Sequence, residues 1–71
     1  MAFEIWEKRT RNLVDDFPTE NAALEAVRDA VESFGLAYVA SWVLACEDEE
    51  GETRQIADSV ELIELARSAP A

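Results

Sequence analysis

The longest run with a single period lies at residues 19–35, TENAALEAVRDAVESFG. Its apolar side chains fall at Ala23, Leu24, Val27, Ala30, Val31 and Phe34, the spacing that gathers residues on one side of a helix. Glu25, Arg28, Asp29 and Glu32 occupy the other side. Thr19 is suited to cap the first turn through its hydroxyl. Pro18 biases Phe17 toward extended backbone, so the helix starts no earlier. Glu20 complements the helix dipole, and Gly35 supplies a stop. The third position after the cap is Ala22 rather than an acid, so the capping box lacks its second half. The apolar stripe reads as a core face rather than a partner groove.

Around this helix the period shortens to two. At residues 3–8, Phe3 and Ile5 share one face while Glu4 and Trp6 share the other. Residues 9–12 form a polar turn in which Asn12 tolerates positive φ. Residues 13–17 return as a second strand, with Phe17 re-entering the core. An antiparallel hairpin is the simplest pairing. Residues 36–46, LAYVASWVLAC, place Tyr38, Ala40, Trp42, Leu44 and Cys46 on one parity, with Val39, Ser41, Val43 and Ala45 on the other. Both faces are largely apolar, which predicts a central strand covered on both sides. The alanines make a helix the competing reading, and Gly35 before the run and the turn after it favour the strand. Residues 47–52 form an acidic turn around Gly51, and residues 53–57 a short strand carrying Ile56. Asp58 with Glu61 has capping-box spacing at the start of a second helix. Val60, Ile63 and Ala66 form that helix's apolar face, flanked by Leu62 and Leu65. Pro70 predicts fraying over residues 68–71.

The expected architecture is a single α+β domain over residues 1–71 in the order β-β-α-β-β-α. It has a mainly antiparallel sheet, a central amphipathic helix, a short C-terminal helix and no internal repeats. A chain of this length buries a limited core and is marginal alone, a condition that dimerisation often relieves. Sixteen acids against six bases give a net charge of −10. That balance opposes direct nucleic-acid binding, which needs phosphate neutralisation, and it fits either a plainly solvated surface or a basic protein partner. No apolar run is long enough to span a bilayer, and the N-terminus lacks the basic-then-apolar order of a signal peptide. With one cysteine, Cys46, no intrachain disulfide forms, so the cytoplasm is the expected compartment.

The residues offer little catalytic chemistry. Histidine is absent, and the two glycines, Gly35 and Gly51, form no phosphate-binding loop. Ser33, Ser41 and Ser59 lack a nucleophile-elbow context. Cys46 has no sequence partner for nucleophilic catalysis and reads as core packing. The acidic run at 47–52 is rich in oxygen, yet aligning Gly51 with an EF-hand glycine puts Cys46 and Ala57 at ligand positions, so it reads as a solvated turn. Lys8, Arg9 and Arg11 cluster at the first hairpin tip, where they pair with the chain's own acids or contact an anion or partner. No catalytic residue, cofactor or metal is expected. The reading is a non-enzymatic interaction protein, with an antitoxin-like or nucleic-acid-mimicking partner of a basic protein as the alternative and a carboxylate-based enzyme as the rival class.

The sequence also predicts self-association. With Phe3, Ile5, Val39 and Val43 under the central helix, the pleat sends Trp6, Tyr38, Trp42 and Leu44 to the opposite face. Contiguous aromatic patches are rarely left bare. Either the second helix or a second copy of the chain covers them, and a homodimer is the expectation.

Several of these features resemble a known group. Phe3-Glu4-Ile5-Trp6, Asn12-Leu13-Val14, Phe17 with Thr19-Glu20 and Ala23-Leu24, then Tyr38, Glu47-Asp48, Gly51 and Ile56-Ala57 together look like those of short acidic bacterial proteins without assigned function. The resemblance implies a fold and transfers no active site. A looser likeness is to HicB-type antitoxins, which also combine a small sheet with an amphipathic helix, although the element order differs and no DNA-binding segment is appended.

Overall fold

The computed structural model describes residues 2–68. Four antiparallel strands and three helices follow in the order β1 (Ala2–Glu7), β2 (Asn12–Phe17), α1 (Glu20–Phe34), α2 (Leu36–Val39), β3 (Trp42–Glu47), β4 (Thr53–Asp58) and α3 (Ser59–Ser68). One sheet holds the strands in the order β2-β1-β3-β4. Helices α1 and α3 pack together on the same face of it, α1 over β1 and β2, α3 over β3 and β4. The other face is open, as one side of an antiparallel sheet can be. The fraying expected around Pro70 falls outside the described residues.

Helix α1 starts and stops where its sequence dictates. Thr19 Oγ1 accepts from the Ala22 N–H at 3.1 Å, so half a capping box suffices. Gly35 ends the helix at φ 92°, ψ 169°, a backbone region open essentially to glycine, and its N–H returns to the Val31 carbonyl. Ala23, Leu24, Val27 and Ala30 are buried, but Phe34, the expected last anchor, is 66% exposed.

The first hairpin forms as expected, with one change at its tip. Arg11, not Asn12, takes the positive φ of 59°, because Asn12 is already paired with Glu7 in the ladder. The larger correction concerns residues 36–46. Their first part is α2, a single turn closed by Tyr38 N–H to Gly35 O and Ala40 N–H to Ala37 O. Strand geometry begins only at Trp42, where Glu7 of β1 becomes available as a partner. That turn breaks the parity drawn across the whole run. Ile5 lies directly opposite Leu44, Phe3 opposite Cys46 and Glu7 opposite Trp42, so Trp42 and Leu44 project to the helix side with Ile5. Trp6 and Val43 share the open face. Strand β3 is therefore central but covered by helices on one side only.

Helix α3 is rotated from its expected setting. Leu62 and Ala66, four apart, are its buried residues, Ile63 packs beside them, and Val60 is exposed. Asp58 belongs to β4, and its carboxylate accepts from Lys8 Nζ at 2.7 Å. Ser59 starts the helix at φ 49°, with its hydroxyl donating to Ala40 O at 2.9 Å. The other end of α3 is held by Arg28, whose Nε and Nη2 donate to Ala66 O at 3.1 and 2.9 Å.

An internal repeat emerges that the sequence did not announce. Each half is a ββα unit, and β1 and β3 meet antiparallel at the centre with their hairpin partners outside. A pseudo-two-fold axis passes through the Ile5–Leu44 pair. At one constant offset, Phe3 corresponds to Trp42, Ile5 to Leu44, Glu20 to Ser59, Leu24 to Ile63, Val27 to Ala66 and Arg28 to Arg67. The register shifts correspond too, between Ile5 and Trp6 and between Leu44 and Ala45, leaving Val14 and Ile56 as the extra residues of the outer strands.

Candidate functional site

The four residues expected to form one self-association face do not share a face. Leu44 is fully buried and Trp42 is 7% exposed, both in the core beneath the helices. Trp6 lies half-buried on the open face, its Nε1–H directed to Glu4 Oε1 at 3.4 Å. Tyr38 is carried on α2 and is 52% exposed. The chain thus covers Trp42 and Leu44 by itself. The open face of the sheet carries Leu13, Trp6 and Val43 in one row, but Glu4, Asp16, Glu47 and Asp58 surround them. Two copies meeting there would set these acids against their own images.

The apolar surface left uncovered lies elsewhere. Phe34, Tyr38 and Trp42 form a continuous ridge, with ring centroids 4.6 Å apart for the first pair and 5.6 Å for the second, the latter edge to face. Beside the ridge runs a groove of about 350 Å³ between α2 and the first hairpin. Ala37, Tyr38 and Trp42 line one side, Asn12 and Val14 the other, and Glu7, Arg9 and Thr10 close its end. The bulge that adds Val14 to β2 contributes to one wall of the groove. From sequence, Phe34 is assigned to the core face of α1 and Val14 has no part in a surface site. The spacing of four between Phe34, Tyr38 and Trp42 is the signal that finds the ridge, and assigning residues 36–46 to a strand hides it.

The basic cluster sits at this end of the molecule. Arg9 Nε lies 3.5 Å from Glu7 Oε1, and Lys8 pairs with Asp58. The Arg11 guanidinium makes no hydrogen bond or ion pair among the described residues. Glu7 also accepts from Ser41 Oγ at 2.5 Å and from the Arg9 N–H at 2.8 Å. The Ser41 hydroxyl first, and then the Arg9 N–H, hold its carboxyl below the ordinary value of 4.5. A group depressed on folding contributes stability that is fully present above its unfolded value and is lost as the pH falls through the folded one. Ser41→Ala is therefore expected to move the Glu7 titration upward, toward 4.5, and to shift that loss to higher pH. A side-chain carbonyl NMR titration reads this directly, and an unmoved Glu7 refutes it.

The opposite end of the sheet is acidic. Glu47 ends β3, and the turn after it carries Asp48, Glu49, Glu50 and Glu52. Asp48 Oδ1 accepts from the N–H groups of Glu50 and Glu52, each at 2.9 Å, so this acid builds the turn. Gly51 completes it at φ 86°. No set of three or more Cys, Asp or Glu among the described residues is arranged to hold a metal ion. Cys46 is half-buried, as a packing residue would be. No helix among the described residues is long and apolar enough to cross a membrane. No family model matches this chain, and no curated protein or solved structure is significantly similar to it.

Proposed function

We propose that this chain is a non-enzymatic interaction module that docks another protein on the Phe34–Tyr38–Trp42 ridge. The observation that carries the reading is two aromatic rings more than half exposed, packed in series onto a buried third. Single exposed apolar residues need no explanation, whereas contiguous aromatic anchors beside a groove are what binding hot spots are made of. The groove's one carboxylate, Glu7, is held ionised, the reverse of what a general acid requires. The lone cysteine fits a reducing compartment, the cytoplasm. A second reading, a basic protein bound at the other end, has the acidic turn in its favour.

The test is the elution of the protein in native lysate. Wild type is expected in a complex, well above its own 7.9 kDa. The double variant Phe34→Ser with Tyr38→Ser is expected to elute free while remaining folded by circular dichroism, with a melting temperature lowered by the loss of the two ring pairs. Wild type eluting free, or a variant that stays in the complex, overturns the docking reading.

A further inference from the structure

From the distribution of charge around the ridge, we infer that the groove between α2 and the first hairpin takes an acidic segment carrying a large apolar side chain. This rests on the docking reading above. The net charge of −10 suggests the opposite, a basic partner, but that charge is not spread evenly. Of six bases, Lys8, Arg9 and Arg11 lie at the first hairpin tip, while five acids lie in the turn at residues 47–52. The pseudo-two-fold axis puts these tips at opposite ends of the sheet. A six-residue strand separates them by about 20 Å, beyond the screening length of about 8 Å at physiological salt. The groove therefore feels its own rim more than the distant acids.

At that rim the exposed charge is basic. In the Arg9–Glu7 pair, which closes the end of the groove, the side-chain exposures are 83% and 17%. That pair turns its base outward, and Arg11, two residues on in the same hairpin tip, adds a guanidinium without a partner among the described residues. Affinity comes mainly from apolar anchors, and the exposed ring series is at this end. Rim charge then selects the partner and steers its approach. An anchor side chain from the partner would lie on Tyr38 and Trp42 against Val14, with its flanking carboxylates toward Arg9 and Arg11. A second copy of this chain docked symmetrically here would instead bring the two basic tips together.

Two short synthetic peptides test the inference on the intact protein. One carries leucine and phenylalanine at helical spacing among glutamates, and the other replaces every glutamate with lysine. Binding is read from the backbone NMR signals of Val14 and Ala37, and from the emission of Trp42 in a Trp6→Phe variant. The acidic peptide is expected to move these signals saturably and the lysine peptide to leave them in place. Arg9→Glu with Arg11→Glu is expected to weaken the acidic peptide roughly tenfold or more, without altering the melting temperature. Equal or tighter binding of the lysine peptide at the groove overturns the inference. So does a response confined to residues 48–52, or groove signals that move only with protein concentration, the mark of a second copy. If neither peptide binds but wild type still elutes in a ridge-dependent complex, the acidic chemistry is wrong and the docking reading stands.

Discussion

Replacing Leu44 with alanine is expected to remove about 3–4 kcal/mol of stability, the range for a fully enclosed leucine whose surroundings cannot collapse. Leu44 has no solvent exposure and stands opposite Ile5, where the two halves of the fold meet beneath both helices. A domain of this size holds roughly 4–10 kcal/mol in total. The variant should therefore melt at least about 12 °C lower, and its urea midpoint should fall in step. Leu13→Ala is the control. Leu13 lies on the open face of an edge strand and is 46% exposed, and its loss should cost within about 1 kcal/mol. Equal losses at the two sites would show that the register between β1 and β3 is not the one described.

Trp42→Ala is the second large effect, at about 3–5 kcal/mol. Its ring is almost wholly buried on the helix side of β3, and it also supports Tyr38 edge to face. That ring pair adds roughly 0.5–1.5 kcal/mol beyond the buried area. Trp6→Ala removes a ring of the same size from the open face, where it is half-buried, and should cost about 1–2 kcal/mol. The pair of variants reads out which tryptophan is in the core, a point on which strand parity and the folded chain disagree. Chemical denaturation followed by circular dichroism measures both. A larger loss for Trp6 than for Trp42 would reverse the assignment of the two faces.

That disagreement marks where the sequence stops being legible. Helix α1 was readable from end to end, because a threonine, a proline and a glycine punctuate a run with one period. The first hairpin was readable as well, because a polar turn separates two alternating strands. Residues 36–46 were not. An all-apolar run has no period to read, and its division between a helical turn and a strand depends on where β1 can offer backbone partners. One misplaced turn then inverted the facing of every residue before Trp42 relative to those after it, as any single-residue slip does in a sheet. The expected self-association face, Trp6, Tyr38, Trp42 and Leu44, was a product of that inversion. The basic cluster was visible at once. Its neighbour, the aromatic ridge, was hidden because Phe34 was counted as a core anchor of α1. The repeat was obscured because its halves share positions of burial rather than identical residues, and because the β3–β4 turn is longer while the step from β4 into α3 has no linker.

The seam between the halves also governs how the chain reaches this state. Each hairpin closes over a short loop and can form within about 1–10 μs. Pairing Ala2 with Glu47 joins residues from opposite halves of the chain, so its loop-closure entropy must be met before any cross-seam contact is made. The two ββα units should therefore assemble first and dock late, with the Ile5–Leu44 pair closing in the rate-limiting step. Until it closes, β1 and β3 each present a bare, largely apolar strand edge. For a chain with so small a core, that interval is when misassembly competes with folding, and the strong net charge keeps separate chains apart while it lasts.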